Sequence, residues 1–347
     1  MKKINYHCWA AAVIIALVCL VFYNHESAAQ DVKKVGTSAA TFLRIPVGTR
    51  GVAMGSAFVS IADDATAMFW NPGGMARLEK KAVLVDYAPW LPGLTFNYFG
   101  VVLPFDKLGT FGVNVTSLST EDMLITTVEQ PMGTGETFSA NSFAVGIAYA
   151  RNLTDRFSIG ANVKFIREDI LNSGASGFAF DIGTLYDTPF PNIRLGVSIS
   201  NFGTNMRIDG EDLNIRVDIA PDQEGDSQSI VGRLRTDDFE APLIMRVGLS
   251  WDALKLSNNR LTLAVEGSNP NDDAQSVNLG GEYALFGELL VLRGGFNDLF
   301  LDDREKGLTF GVGLNLKASG IDFSGGYAYQ DFKNLDPVNR FSLEVRF

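Results

Sequence analysis

Apolar and polar residues alternate with a period of two along most of this chain. The last seven residues put Phe341, Leu343, Val345 and Phe347 on one face and Ser342, Glu344 and Arg346 on the other. Residues 156–165 alternate in the same way, with Phe157, Ile159, Ala161, Val163 and Phe165 against Ser158, Gly160, Asn162 and Lys164. Residues 308–317, 193–199 and 243–251 repeat it. Strict alternation marks strands with two different faces. One face here is aliphatic and aromatic, as lipid requires. The other is Gly, Asn, Ser and single charges, as a crowded or wet lumen requires. A soluble β-sandwich also alternates, but its strands are shorter, about 5 to 6 residues. Runs of about 10 residues match a tilted membrane crossing.

The pattern predicts strands near 82–88, 95–105, 109–119, 138–151, 156–168, 176–187, 191–202, 241–252, 259–268, 275–286, 288–297, 306–317, 319–331 and 338–347. The fold class expected is all-β, a transmembrane antiparallel β-barrel of about 14 strands. Alternate connections are short, and the longer ones, 120–137, 203–240 and 298–305, fall on the other side. That asymmetry places the short turns in the periplasm and the long loops outside, with both termini on the periplasmic side. A barrel of this size encloses more space than its own side chains fill, so the lumen needs an occupant.

The chain before the strands supplies a candidate. Residues 36–80 are rich in Ala, Gly and Ser and break the alternation. "IADDATAM" (61–68) is expected to make a short helix, with Asp63 and Asp64 near its N-terminus where the dipole favours them. Pro72 turns Asn71 away from helix, and Gly73 and Gly74 release the chain into the first strand. Residues 30–80 are therefore expected to be an N-terminal hatch inside the barrel formed by 81–347. Inward-facing Lys164, Arg194, Arg246 and Arg293 are expected to pair with Asp63 and Asp64.

The first 29 residues read as a secretory leader. Lys2 and Lys3 precede an apolar run from Trp9 to Tyr23, and Ser27 and Ala29 form a cleavage site. A lipid anchor on Cys19 would need a small residue at Val18. Cys8, Cys19, His7 and His25 all lie in this leader. The remaining chain has no thiol or imidazole, which excludes disulfides, His or Cys metal sites and Ser-His-Asp hydrolysis. The net charge of −11 argues against nucleic acid.

The stretch "FLRIPVGTRGVAMGSAFVSIADDATAMFWNPGGMARL" resembles the N-terminal signature of the PorV/PorQ family of outer-membrane proteins, which are similar to the FadL group. The matching residues are Arg44, Gly48, Arg50, Met54, Gly55, Ala57, Ala62, Asp63, Asp64, Ala65, Trp70, Asn71, Pro72 and Gly74. Gly73 stands where the family usually has Ala. The resemblance implies one of two non-enzymatic roles. One is holding or carrying secreted proteins in type IX secretion. The other is passing hydrophobic small molecules such as fatty acids or hydrocarbons through a shifting hatch, with Asn71 and Pro72 as gate or anchor. It implies outer-membrane lipid and the barrel-assembly machinery as partners, the latter reading Phe341 and Phe347 at the C-terminus, and no cofactor. The residues themselves leave a plain reading open, that Asn71 and Pro72 only end a helix.

Other features are weaker. "GTGETF" (133–138) lacks the strand–helix context of a phosphate loop. The acidic stretches 269–275 and 297–307 lack calcium-loop spacing. Glu266, Glu282 and Glu344 face the lumen, where carboxylates ordinarily pair with arginines rather than catalyse. The polar loop 203–240 is the largest exterior feature and a candidate protein contact. Met123, Leu124 and Ile125, with "PWLPG" (89–93), form a candidate greasy entrance.

Overall fold

The computed structural model describes residues 36–218, 229–301 and 304–347. The leader, residues 1–29, and the first residues of the expected hatch lie outside them.

Fourteen strands form one closed antiparallel barrel. They are β1 (Ala82–Pro89), β2 (Leu94–Phe105), β3 (Gly109–Thr120), β4 (Ala140–Asn152), β5 (Phe157–Ile170), β6 (Ser173–Asp187) and β7 (Ile193–Gly203), then β8 (Ile244–Lys255), β9 (Arg260–Pro270), β10 (Ser276–Leu285), β11 (Leu290–Leu299), β12 (Lys306–Ala318), β13 (Ile321–Phe332) and β14 (Val338–Arg346). Each pairs with its neighbours in sequence. The ring closes where β1 meets β14, in a register that sets Ala82 opposite Arg346 and Tyr87 opposite Phe341. Closure leaves no free edge, the condition for sheet in lipid. Among the described residues no helix is long and apolar enough to cross a membrane.

The alternation orients every wall residue. Leu343 and Phe341 point outward and are exposed, while Glu344 and Arg340 point inward and are buried. Opposite them Val85 and Tyr87 are outward and Asp86 inward. Strand positions follow from this constraint, because shifting a strand by one residue would turn its charges into lipid.

The connections are less lopsided than expected. Only two are long, 121–139 and 204–243; β5 and β6 are joined by Leu171 and Asn172 alone. Both long loops still lie at the same end. They carry short two-stranded ribbons, Met123–Leu124 with Thr137–Phe138 and Asn214–Asp218 with Ser229–Arg233.

Residues 37–81 run through the lumen. Ser38 bridges Glu240 and hydrogen-bonds Asp272, both at the long-loop end. Lys81 exchanges backbone hydrogen bonds with Phe347 at the short-turn end. The described chain thus enters at the long-loop mouth near Ser38 and leaves at the short-turn mouth, with the C-terminus on the short-turn side. The expected position of the N-terminus lies outside the described residues.

The lumenal segment holds 3-10 turns at Thr41–Arg44 and Pro72–Arg77 and two short helices, α1 (Thr49–Ala53) and α2 (Ala67–Trp70). The helix expected over 61–68 begins only at Ala67. Asp64 accepts hydrogen bonds from both the backbone N–H and the hydroxyl of Thr66, a local turn that competes with helix. Asn71 is extended, with φ −159°, as the following proline requires. Gly73 and Gly74 lie in the 3-10 turn rather than leading into β1. A Cβ at Gly74 would sit 1.7 Å from the Ala62 carbonyl oxygen, so only glycine fits this crossing of the chain over itself.

Candidate functional site

The site of interest is the lumen, where the segment 37–81 meets side chains from all round the barrel. Its two halves differ. At the long-loop half the filling is apolar. Phe42, Leu43, Ile45 and Val47 are buried in one cluster with Phe96, Ile166, Met206, Phe332 and Val338. Apolar burial of this kind stabilises by roughly 25 cal/mol per Å² removed from water. At the short-turn half the apolar cluster continues along one side through Met75, Leu78 and Ala82, and the rest of the filling is charged. A cavity of about 1030 Å³ opens between turn residues such as Thr188 and Glu288, and Arg50, Asp63, Arg194, Arg260, Glu282 and Glu344 line it.

Arg50 on α1 is the centre of the charged half. Its guanidinium bonds Asp63, lies 3.6 Å from Asp64 and donates to Glu282 at 2.9 and 3.2 Å. Glu282 on β10 also receives Arg260 at 2.9 Å and Arg293 at 2.8 Å. One buried carboxylate therefore bridges three arginines, and Asp63, Asp64 and Glu288 supply the remaining negative charge.

Other barrel carboxylates grip the backbone of the lumenal segment. Asp86 accepts from the N–H of Gly48 at 3.1 Å, and Glu168 from Ala40 at 3.0 Å. Glu266 accepts from Phe58 at 2.9 Å and Val59 at 2.8 Å, and Glu344 from Ala65 at 3.0 Å. Thr309 accepts from Gly55 at 3.0 Å. Hydrogen bonds to ionised acceptors are roughly twice as strong as neutral ones. The segment has too little regular structure to pair its own N–H groups, and the wall satisfies them instead.

The Trp-Asn-Pro turn is anchored at three points. Trp70 is buried, donates to the Val47 carbonyl at 2.9 Å and stands edge-on to Phe58 and Phe69. Arg246 lies 5.5 Å over its ring. Asn71 donates to the Val59 carbonyl at 2.8 Å and to the Thr184 carbonyl of β6 at 2.9 Å, and accepts from Gly73 at 3.1 Å. Pro72 starts the 3-10 turn, where its fixed φ and missing N–H cost nothing.

The four barrel cations expected to meet Asp63 and Asp64 go mostly elsewhere. Arg194 approaches Asp63 at 3.8 Å but bonds Asp187 at 2.9 Å. Lys164 pairs with Asp181, Arg246 with Glu266 at 3.7 Å, and Arg293 with Glu282. Each has a carboxylate on an adjacent strand, and the two aspartates already have Arg50 beside them. Arg44 reaches the outer rim and pairs with Asp272 and Asp273. Gly48 and Gly55 are both in left-handed backbone conformation, at φ 78° and 60°. Phe341 and Phe347 face outward on β14 and just past it. Sequence reasoning missed the carboxylate-to-backbone contacts. Their only signal was the recurrence of single acids on the inward face of strands.

Asp63→Asn removes the carboxylate that Arg50 bonds, and at neutral pH it should cost only about 1 kcal/mol, since the side chain is partly open to water. Protease protection of residues 37–80 measures the effect; protection lost as completely as by removal of a buried partner would show that Asp63 anchors the segment.

The sequence matches the family model of PorV, a type IX secretion system protein, over residues 27–269. No curated protein sequence matches it. Among solved structures the fold is similar to the Pseudomonas putida toluene transporter TodX, with TM-score 0.55, 12% identity, and 86% of this chain and 97% of that chain covered. It is similar to the Ralstonia pickettii toluene transporter TbuX at TM-score 0.53 and 12% identity, covering 86% and 97%. A Pseudomonas aeruginosa FadL homologue follows at TM-score 0.51 and 14% identity, covering 87% and 98%. At such identities the likeness concerns the fold.

Proposed function

This chain belongs to the PorV family of type IX secretion system proteins, and from that premise we propose that it works in secretion as a shut barrel, without catalysis. It is an outer-membrane β-barrel. The proposal adds a cleaved leader in a Gram-negative-type bacterium, insertion by the barrel-assembly machinery through the C-terminal Phe347, and secreted or secretion-system proteins held at the long-loop face. The observation that carries a shut lumen is its two-part filling. An apolar cluster fills the long-loop half and continues down one side, and a network of carboxylates, arginines and backbone N–H groups fills the rest. Such a segment is costly to displace, because each freed buried charge or N–H loses its partner.

The alternative is a conduit for hydrophobic small molecules, the role named for the toluene transporters of similar fold. It requires the segment to move. Thr49 of α1 and Ser342 of β14 are hydrogen-bonded through their hydroxyls, so Thr49→Cys with Ser342→Cys offers a disulfide lock in a chain whose own cysteines, Cys8 and Cys19, lie in the leader. The oxidised double variant is expected to support surface delivery of secreted proteins as the wild type does, with no bilayer conductance before or after reduction. Hydrocarbon uptake that depends on the protein and stops on oxidation would replace this reading with the conduit.

A further inference from the structure

The short turns carry apolar tips. Among the described residues, six of them join strands at that end of the barrel: 106–108, 153–156, 188–192, 256–259, 286–289 and 319–320. Five hold a large apolar side chain, Leu108, Leu153, Phe190, Leu256 and Phe286, each 58–69% exposed. Turns in water are built mainly from Gly, Pro, Asn, Asp and Ser, and internal packing does not account for side chains this bare. Phe190 and Phe286 line the mouth of the charged cavity; the three leucines do not.

The leucines continue the outer wall. The Leu108 carbonyl accepts the Tyr149 hydroxyl at 2.8 Å. Tyr149 lies 5.1 Å from Phe111, and Phe111 5.9 Å from Phe105, all three exposed on the outer face. Leu256 comes two residues after Leu254, which is exposed on the outer face opposite Leu261. Leu153 comes two after Arg151, which is outward opposite Ile159. An arginine there can keep its stem in apolar surroundings and its head among polar groups.

The wall also lacks height without them. Outward positions on β3 are apolar from Phe111 to Val115 and polar at Ser117 and Ser119; on β2 they are apolar from Phe105 to Phe99 and polar at Asn97 and Thr95. A strand rising about 3.3 Å per residue and tilted by about 40° gains about 2.5 Å of height per residue. The run on β3 is then about 10 Å tall and that on β2 about 15 Å, against about 25 Å for the apolar band of an outer-membrane barrel. Hydroxyls and amides bound the band at the long-loop side, so it can grow only toward the turns. Counted from Leu108, the runs reach about 18 Å to Val115 and about 22 Å to Phe99. We propose that the short-turn rim is sunk in the adjacent leaflet of the outer membrane, with Leu108, Leu153 and Leu256 in contact with lipid. The partner is lipid rather than a soluble protein because the leucines extend a wall already in lipid and supply the height it lacks. The mouth of the charged cavity then opens at the depth of the headgroups, whether the barrel serves secretion or acts as a conduit.

The test uses the full-length chain with Cys8→Ser and Cys19→Ser, which removes its only cysteines, folded into phospholipid vesicles. Leu108→Cys, Leu153→Cys and Leu256→Cys each carry an environment-sensitive fluorophore. Val113→Cys in the outer wall is the lipid reference, and Val128→Cys, on a long loop and 95% exposed, is the water reference. The three turn positions are expected to be quenched at least threefold more than position 128 by nitroxide-bearing lipid, and at least threefold less by iodide present on both sides of the membrane. Iodide quenching equal to that at position 128 would overturn the proposal. Shielding from both quenchers would also overturn it, since a protein surface would then cover the turns. Leu153→Asp with Leu256→Asp reads the same question without a label. Charges on a lipid-facing surface oppose insertion, so this variant should insert into vesicles at least threefold more slowly, and insertion at the wild-type rate would count against lipid contact.

Discussion

Replacing Glu282 with alanine should release the lumenal segment while leaving the barrel folded. Glu282 is buried and holds Arg50, Arg260 and Arg293. Without it three guanidinium groups face one another across the inner end of the cavity. Removing one partner of a buried ion pair costs about 3–5 kcal/mol. We take the lower end, about 3 kcal/mol, because the cavity admits water that screens the stranded charges. Since each 1.4 kcal/mol is tenfold, proteolysis within residues 37–80 should rise roughly a hundredfold. The wall keeps all its backbone pairing, so the folded barrel should still migrate faster than the heated form on a gel. A double-mutant cycle with Arg50→Ala should show strong coupling, as contacting residues do. Protease resistance equal to wild type would mean that the arginines find other partners and that Glu282 is not the anchor.

Trp70→Ala is the second large effect. Trp70 is among the largest fully buried side chains, and truncating a buried Trp costs about 3–5 kcal/mol. The loss also leaves the Val47 carbonyl without its indole donor, a further cost of about 1–3 kcal/mol for a buried acceptor. Arg246 and Phe58 lose the ring they pack against. Trp70→Phe keeps most of the ring volume and should cost less than half as much. The two variants together separate packing from the hydrogen bond. A Trp70→Ala protein whose lumenal segment resists protease like the wild type would show that the charged half holds it unaided.

The wall of this barrel was legible in the sequence and the interior only in part. Lipid on one side and charge on the other impose a two-residue rhythm. So Phe341, Leu343 and Val345 announce β14 with no knowledge of its neighbours. The lumen has no such rhythm. Arg246 meets Trp70, and Glu266 meets Phe58 and Val59, across sequence separations of more than 170 residues. The path of the segment across the barrel sets those meetings. Asn71 and Pro72 end the helix Ala67–Trp70 where the sequence led one to expect a helix end, since proline chemistry is local. The Asp64–Thr66 turn is local too, but it competes with a helix that the composition also allowed, and the shorter turn won. The pairing of Asp63 and Asp64 with Arg50, thirteen and fourteen residues earlier, was overlooked in favour of barrel arginines because the segment was read as a helix plus a turn, not as a chain folded back on itself.

The path of residues 37–81, in at the long-loop mouth and out at the short-turn mouth into β1, constrains the order of assembly. A ring already sealed between β1 and β14 could accept this segment only by threading a free end past Phe42, Trp70 and the arginine cluster. It is simpler for the segment to be present first, with successive strands wrapping round it. Each strand arriving at its turn would then find a backbone N–H or an arginine waiting for its carboxylate: Asp86 early, Glu168, Glu266 and Glu282 in the middle, Glu344 last. On this view the segment serves as the former on which the barrel is wound. The seam between the first and last strands is the final joint to set, and Glu344 sits on it.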